Sequence, residues 1–374
     1  MTHLRIENLE GLEFLTISIS EGHAASLNYL EIEGCPNLVY IELPALDSAY
    51  YTISKCLKLK LLAHTLSSLC RLELEDCPEL LFRSLPSNLC KLGIENCNTL
   101  TPEEDWGLQR MASLTHLEIV GGCEDVESFP KDCLLPSGLT SLEIIMFPKL
   151  KSLDGKGFQP LTSLTTLCIY ACPELQFFAE EGLQHLTSLS RFVITCCPKL
   201  QFIPEGWFQH FPSLVELHIS DCHQLQSLTG SVFQHLTSLQ RLHIPMCPGF
   251  QFLSALQHLT SLIELEISGC PGLQSLTELG LQSLASLKLL HVADFPQLQS
   301  LTQAGLQHLT SLERLSIRGC PKLQYLTKER LPDSLRCLGV NYCPLLEKRC
   351  QFEKGQEWCY IAHIPQVEIN DVLM

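Results

Sequence analysis

Residues 164–175 read LTTLCIYACPEL and contain the pattern that decides the fold. Leu167 and Ile169 alternate with the residues on either side of them, and this period of two predicts a short strand with both side chains facing a core. Cys172 and Pro173 follow, and because proline has no amide hydrogen to donate, it ends the strand. Leu175 then returns the chain to the same core. The stretch therefore predicts a strand and a turn around one apolar edge.

The same unit, written L-x-x-L-x-I-x-x-C-P-x-L, recurs along almost the whole chain at a spacing of about 25 residues, which is the leucine-rich-repeat pattern. The place that cysteine holds in the unit is called here the ladder position. Ladder positions fall at residues 9, 35, 56, 77, 97, 123, 147, 172, 197, 222, 247, 270, 295, 320 and 343. One unit cannot bury its apolar edge alone, so the repeats predict a single solenoid rather than separate domains.

We therefore expect an α/β repeat fold, a curved leucine-rich-repeat solenoid of about fifteen units. The curvature is expected to place a parallel β-sheet on the concave face and short helical or 3₁₀ turns on the convex side. Residues 1–346 are assigned to the solenoid and residues 347–374 to a C-terminal capping tail. In that tail the apolar residues expected to cover the last open edge are Trp358, Tyr360, Ile361 and Ile364.

Cysteines occupy most ladder positions, where they are expected to be structural. They are Cys35, Cys56, Cys77, Cys97, Cys123, Cys172, Cys197, Cys222, Cys247, Cys270, Cys320 and Cys343. A buried thiol is a small apolar filler and a weak donor. The alternative is a row of metal ligands or disulfides, but zinc sites favour paired C-x-x-C ligands and the ladder supplies none. Phe147 and Phe295 also hold ladder positions and cannot donate a hydrogen bond, so the carbonyl groups beside them need other partners.

Composition and motifs narrow the function. Lys and Arg number 25 against 41 Asp and Glu, and the net charge of −16 disfavours nucleic acid and anionic membranes as partners. No signal peptide and no apolar run long enough to span a bilayer is found, so a cytoplasmic location is expected. Phosphate-binding, dinucleotide-binding, nucleophile-elbow and zinc-protease motifs are missing from the sequence. We therefore expect no enzyme activity, no cofactor and no metal site.

The outward positions of the strands are the candidate partner-binding residues of the concave face. They are Tyr29, Glu31, Glu33, Arg71, Glu73, Glu75, Glu118, Glu143, Arg191, Glu216, His218, Arg241, His243, Glu264, Arg314 and Arg318. The charges alternate in sign from strand to strand over Arg191, Glu216, Arg241 and Glu264, which predicts a ladder of ion pairs. Before residue 150 the acidic residues crowd together without nearby cations. This crowding favours a basic partner surface, with a merely solubilising acidic face as the alternative.

The residues also resemble a family, the C-terminal leucine-rich-repeat region of plant intracellular immune receptors of the nucleotide-binding, coiled-coil class. The resemblance is carried by the C-P-x-L-x-x-L unit and by the spacer GLQHLTSL at residues 182–189 and 305–312. It is most specific in the tail, through Cys343-Pro344, Trp358 and residues 361–365, which read IAHIP. The resemblance implies a module that senses pathogen effectors or guarded host proteins. It also implies restraint of a nucleotide-binding switch, including contact with that domain, although this sequence contains neither that domain nor a coiled coil.

Three other readings remain open. The first is the substrate-recognition arm of a ubiquitin ligase, which also uses leucine-rich repeats, although the adaptor-binding helical motif expected near its N-terminus is not seen. A metal or redox protein would use the thiols directly. A truncated stand-alone repeat protein is the third, because Met1 falls inside a repeat and the first strand is expected to expose an apolar edge.

Overall fold

The computed structural model describes residues 2–17, 27–43, 49–64, 69–81, 85–97, 107–131, 134–178, 182–204, 206–226, 233–249, 256–271 and 275–373. The chain forms two compact units, Met1–Thr187 and Ser188–Met374. Each is a β-solenoid in which one coil contributes one strand to a parallel sheet. The predicted repeat fold with its parallel sheet is confirmed.

The main sheet of the first unit consists of parallel strands that pair in chain order. Its strands are Thr2–Glu7, Leu27–Glu33, Ala49–Ser54, Leu69–Glu75, Lys91–Glu95, His116–Val120, Ser141–Ile145 and Thr166–Tyr170. Shorter strands form two narrow sheets, and these strands follow the turns after ladder positions 9, 35, 56, 123, 147 and 172. They are Phe14–Thr16, Tyr40–Leu43 and Leu61–His64 in one sheet, and Ser128–Phe129, Ser152–Leu153 and Phe177–Phe178 in the other.

The main sheet of the second unit follows the same rule. Its parallel strands are Arg191–Thr195, Glu216–Ser220, Arg241–Ile244, Glu264–Ser268, Leu289–Ala293, Arg314–Arg318, Cys337–Asn341 and Gln366–Ile369. A last strand, Val372–Leu373, pairs antiparallel with Gln366–Ile369.

The return segments are mostly 3₁₀ turns, in agreement with the short helical or 3₁₀ turns expected from the sequence. The 3₁₀ helices are Leu108–Arg110, Leu183–His185, Phe208–His210, Leu256–His258, Thr277–Leu279, Leu281–Ser283 and Leu306–His308. Short α-helices are Gly155–Phe158, Pro344–Arg349 and Trp358–Ile361. Their leucines meet the strand leucines in the core of each unit, where Leu164, Leu167 and Ile169 are at most 1% exposed.

Burial and hydrogen bonding explain why cysteine suits the ladder positions. The twelve ladder cysteines are at most 1% exposed. Most of their thiols also donate to the carbonyl oxygen two residues earlier, for example from Cys222 Sγ to Ser220 O at 3.3 Å and from Cys320 Sγ to Arg318 O at 3.3 Å. The thiol therefore fills the space in the turn and donates a hydrogen bond to a backbone carbonyl at the end of the strand.

At the two phenylalanine ladder positions, the carbonyl groups do find other partners, as the sequence required. The amide of Gly121 donates to Ile145 O at 2.8 Å, and the amide of Gly269 donates to Ala293 O at 3.0 Å. Both donors lie on the preceding coil. Because this backbone bond satisfies the carbonyl, the ladder side chain is free to be purely apolar, and Phe147 and Phe295 are fully buried.

The segment assigned from the sequence to a capping tail contains a strand that the sequence did not predict. Strand Gln366–Ile369 pairs with Cys337–Asn341 and continues the parallel sheet by one more strand. Ile361 and Ile364 are buried as expected, whereas Trp358 is only half-buried. The open edge is thus covered mainly by a backbone strand rather than by aromatic side chains.

Thiol labelling should distinguish a structural role of the ladder cysteines from a metal-binding or redox role. Cys196 and Cys197 are adjacent, yet Cys196 is exposed and Cys197 is fully buried. At two of the ladder thiols burial also raises the pKa, to about 11 at Cys97 and about 12 at Cys270, which leaves less of the reactive thiolate there. In the folded chain we expect Cys196 and the exposed Cys359 to be labelled, and the ladder thiols to react only after denaturation.

Maleimide labelling followed by peptide mass spectrometry measures each rate, and Cys196→Ser should remove one rapidly labelled site. Equal labelling rates for Cys196 and Cys197 would contradict the prediction. So would stoichiometric zinc in elemental analysis of the purified chain. Within the described residues, every cysteine is a free thiol and no group of three potential ligands lies close enough to hold a metal ion. Cys133 lies outside the described residues.

Candidate protein-recognition face

The candidate partner-binding residues all lie in strands of the two main sheets, at positions that alternate with buried leucine, isoleucine or valine. We call the surface formed by these alternating positions the outward strand face. Strand Leu69–Glu75 illustrates it, because Arg71, Glu73 and Glu75 face outward while Leu72 and Leu74 are buried. None of the sixteen predicted residues is buried. The in-register pairing places residues of successive coils side by side in columns on this face.

At the start of the first unit, the acidic residues do have nearby cations, so that part of the charge prediction was wrong. Glu31 lies 3.2 Å from His3 and 3.4 Å from Arg5. Glu33 lies 3.2 Å from Arg5 and 2.8 Å from Lys55. These ion contacts hold the pKa of Glu33 below its usual value, chiefly through the hydrogen bond from Lys55. The cations were missed because they lie on neighbouring coils, far from the carboxylates in sequence.

The column beside these carboxylates is aromatic. The rings of His3 and Tyr29 are 4.4 Å apart between centroids, and those of Tyr29 and Tyr50 are 4.9 Å apart. The guanidinium of Arg71 lies 4.6 Å from the centre of the Tyr50 ring. Arg71 also donates to Glu73 Oε1 at 2.6 Å, and the Tyr50 hydroxyl donates to the other oxygen of that carboxylate. Glu73 is therefore compensated within the chain.

The acidic crowding predicted from the sequence persists further along the first unit. No ion pair reaches Glu95, Glu118 or Glu143 within the residues that the structure describes. Burial raises the pKa of Glu118, and the negative charges of Glu143, Glu73 and Glu95 raise it further. Glu95 shows the same upward pKa shift, from burial and from the charges of Glu75 and Asp76. Here the outward strand face carries negative charge that the chain leaves uncompensated.

In the second unit the predicted ladder of ion pairs forms only in part. Glu216 lies between two arginines, 3.5 Å from Arg191 and 3.0 Å from Arg241. Glu264 does not continue the ladder, because its carboxylate lies 3.4 Å from His243 instead. In the described part of this unit, no ion pair joins Arg241 to Glu264.

The same region holds a histidine pair that the sequence analysis named without predicting the contact. The rings of His218 and His243 meet edge to face, with centroids 5.5 Å apart. Burial lowers the pKa of His218, and the neighbouring His243 lowers it further. Further along, the guanidinium of Arg318 lies 5.1 Å from the centre of the Tyr342 ring. Arg314 stays exposed in the adjacent column.

Comparison with known proteins agrees with this geometry. Residues 187–248 match the family model described as leucine rich repeat. Over these residues the chain carries leucine-rich repeats. A stretch of 73 residues is 52% identical to a curated Arabidopsis thaliana protein named provisionally as a disease resistance protein. That stretch is 20% of this chain and 5% of the Arabidopsis protein, and over it the resemblance to plant disease resistance proteins is confirmed.

Two solved structures are similar in fold. The leucine-rich repeat domain of the type III effector XopL is 26% identical, with 54% of this chain and 68% of that chain covered and a TM-score of 0.44. An internalin from Listeria monocytogenes is 18% identical, with 85% and 87% covered and a TM-score of 0.49. With both scores under 0.5, the fold assignment depends on the repeats and strand register of the chain itself. Leucine-rich repeats of this kind are protein-interaction modules, and the fold is typical of proteins without catalytic activity. Among the described helices, none has the length and apolar character needed to cross a bilayer.

Proposed function

We propose that this chain is the recognition module of a plant immune receptor, located in the cytoplasm and without catalysis. On this proposal, its outward strand face binds a pathogen effector or a guarded host protein. Binding would release a nucleotide-binding switch, supplied outside this sequence, that the repeats restrain. Similarity to a resistance protein supports the biological role.

The single observation that carries the binding surface is the uncompensated charge of the first unit. Glu118 and Glu143 lie on adjacent strands in direct register. Like charges side by side on a sheet are destabilising. Two carboxylates that remain without a cation therefore favour a role in binding a partner over a role in stabilising the fold. A basic surface on a protein partner would supply the missing charge and would also accelerate association.

A binding screen with a matched control tests the proposal. The chain is screened against pathogen effectors and host proteins. The affinity of each interaction is then measured for a triple variant in which Glu75, Glu118 and Glu143 are changed to lysine. We expect affinity for the recognised protein to fall at least tenfold. The control changes three acidic residues of the loop after strand His116–Val120, off the outward strand face, to lysine: Glu124, Asp125 and Glu127.

The control should leave affinity within about twofold, since rim charges far from a contact contribute little. Far-UV circular dichroism checks that both triple variants remain folded. Partners that bind both variants equally well would place recognition elsewhere, and a screen without any partner would remove the proposed role. Restraint of the switch is measured separately, by co-expressing the chain in leaf cells with the nucleotide-binding portion of a plant immune receptor of the class that the chain resembles. Cell death that this chain does not reduce would contradict it.

A further inference from the structure

The outward strand face of the first unit has a gap at Gly93. Register places Gly93 in one column between Glu73 on one side and Glu118 on the other, with Glu143 next in line. Because glycine has no side chain, a cavity of about 150 Å³ opens there, lined by the carboxylates of the column and by Arg71, Lys91 and His116 of the neighbouring column. That volume holds several water molecules, and so it can admit the end of one long side chain.

Charge decides what the cavity can receive. Of the carboxylates that line the cavity, Glu73 forms an ion pair with Arg71. Glu118 and Glu143 form no ion pair among the described residues. An anion would meet two carboxylates on adjacent strands, whose backbones are about 4.8 Å apart in a sheet. A cation would lie between them. No three potential metal ligands come together in the described residues, so the geometry favours an organic cation over a metal ion.

We propose that this cavity binds the guanidinium of an arginine presented by a protein partner, between Glu118 and Glu143. This inference rests on the proposed recognition function and names the partner's chemistry. Arginine fits better than lysine because its planar fork offers five donors and can bond two carboxylates at once, whereas an ammonium group is a point charge. Lys91 lies two residues before Gly93 on the same strand, in the neighbouring column with Arg71 and His116, so the guanidinium is expected on the side of the two carboxylates.

The chain provides a matched pair of glycines for the test. Gly93 and Gly339 both occupy the second outward position of a main-sheet strand, and neither has a positive φ. A Cβ added at Gly93 would meet only Glu73 Cγ, at 3.3 Å, and one added at Gly339 would meet only Ser316 Oγ, at 3.9 Å. Glutamine at either position should therefore leave the fold intact, while Gly93→Gln fills the proposed site.

The experiment titrates the full chain with N-acetyl-arginine amide and follows the amide signal of Leu117, which lines the cavity, by TROSY NMR. We expect saturable shifts with a dissociation constant on the order of 1–10 mM. The neutral isostere N-acetyl-citrulline amide should bind at least tenfold more weakly. Glu118→Gln should weaken arginine binding at least fivefold, Gly93→Gln should abolish it, and Gly339→Gln should leave it unchanged.

Equal binding of the arginine and citrulline probes would overturn the proposal. So would arginine binding that survives Gly93→Gln with the rest of the spectrum unchanged. Because the assay contains no protein partner, failure here removes the arginine site and leaves the recognition proposal to its own screen. A failed screen, conversely, would leave a measured arginine affinity standing.

Discussion

Phe147→Ala is expected to lower the free energy of unfolding by about 3–5 kcal/mol, as loss of a fully buried aromatic side chain usually does. Phe147 is 0% exposed at its ladder position, and its ring lies 5.4 Å from that of Phe129 between centroids. Truncation removes this contact and leaves a cavity that the rigid strand turn cannot close. Guanidinium denaturation followed by circular dichroism measures the loss.

The neighbouring Met146→Ala is the matched control. Met146 is 56% exposed and already has a left-handed backbone, which alanine would share, so we expect a change within about 0.5 kcal/mol. Repeats contact mainly their neighbours, so hydrogen exchange in Phe147→Ala should accelerate first in Ser141–Ile145 and in the strands paired with it. If Phe147→Ala lowers the free energy of unfolding no more than Met146→Ala does, the Phe147 side chain does not contribute to the stability of the core.

The period of the leucines made the strands, their parallel pairing and the buried cysteines predictable. The turn at the end of each strand was less accessible to sequence reasoning. The residue just before every ladder position has a positive φ, including bulky residues such as Met246 (55°) and Tyr342 (55°). Glycine, asparagine and aspartate tolerate this conformation and hold several of these positions, which is a usable signal. Methionine and tyrosine carry no such signal. At these residues the left-handed conformation follows from the geometry of the repeat and not from the residue type.

The charges of the outward strand face show the same limit. Whether a carboxylate is compensated depends on residues that are far away in sequence but adjacent in register. Arg5 and Glu31 are paired across neighbouring strands, and applying the repeat register to the sequence would have found that pair. The hydrogen bond from Tyr50 to Glu73 depends on side-chain direction, which the register alone does not give. Strand Gln366–Ile369 was missed because its sequence, QVEI, lacks the repeat leucines.

Arg349→Ala is expected to destabilise the capping tail by about 3 kcal/mol, because it leaves a buried carboxylate without its cation. The Glu357 side chain is only 3% exposed, and it accepts a hydrogen bond from Arg349 Nη2 at 3.2 Å. Its other oxygen accepts from the Thr327 amide at 3.4 Å, which joins the tail to the last coils. The guanidinium also lies 4.5 Å from the centre of the Tyr325 ring. Denaturation midpoints and hydrogen exchange of strand Gln366–Ile369 measure the effect.

Two controls separate the buried pair from the general loss of an arginine. Arg330 forms an exposed ion pair with Asp333, so Arg330→Ala should cost at most about 1 kcal/mol. Replacing both members of the buried pair, as Arg349→Met with Glu357→Met, removes the unpaired charge and should recover much of the stability. If Arg349→Ala costs no more than Arg330→Ala, the tail is held by strand pairing alone. In that case the pairing of the last strands is sufficient to stabilise the edge of the sheet, and Glu357 does not contribute to stability through its ion pair.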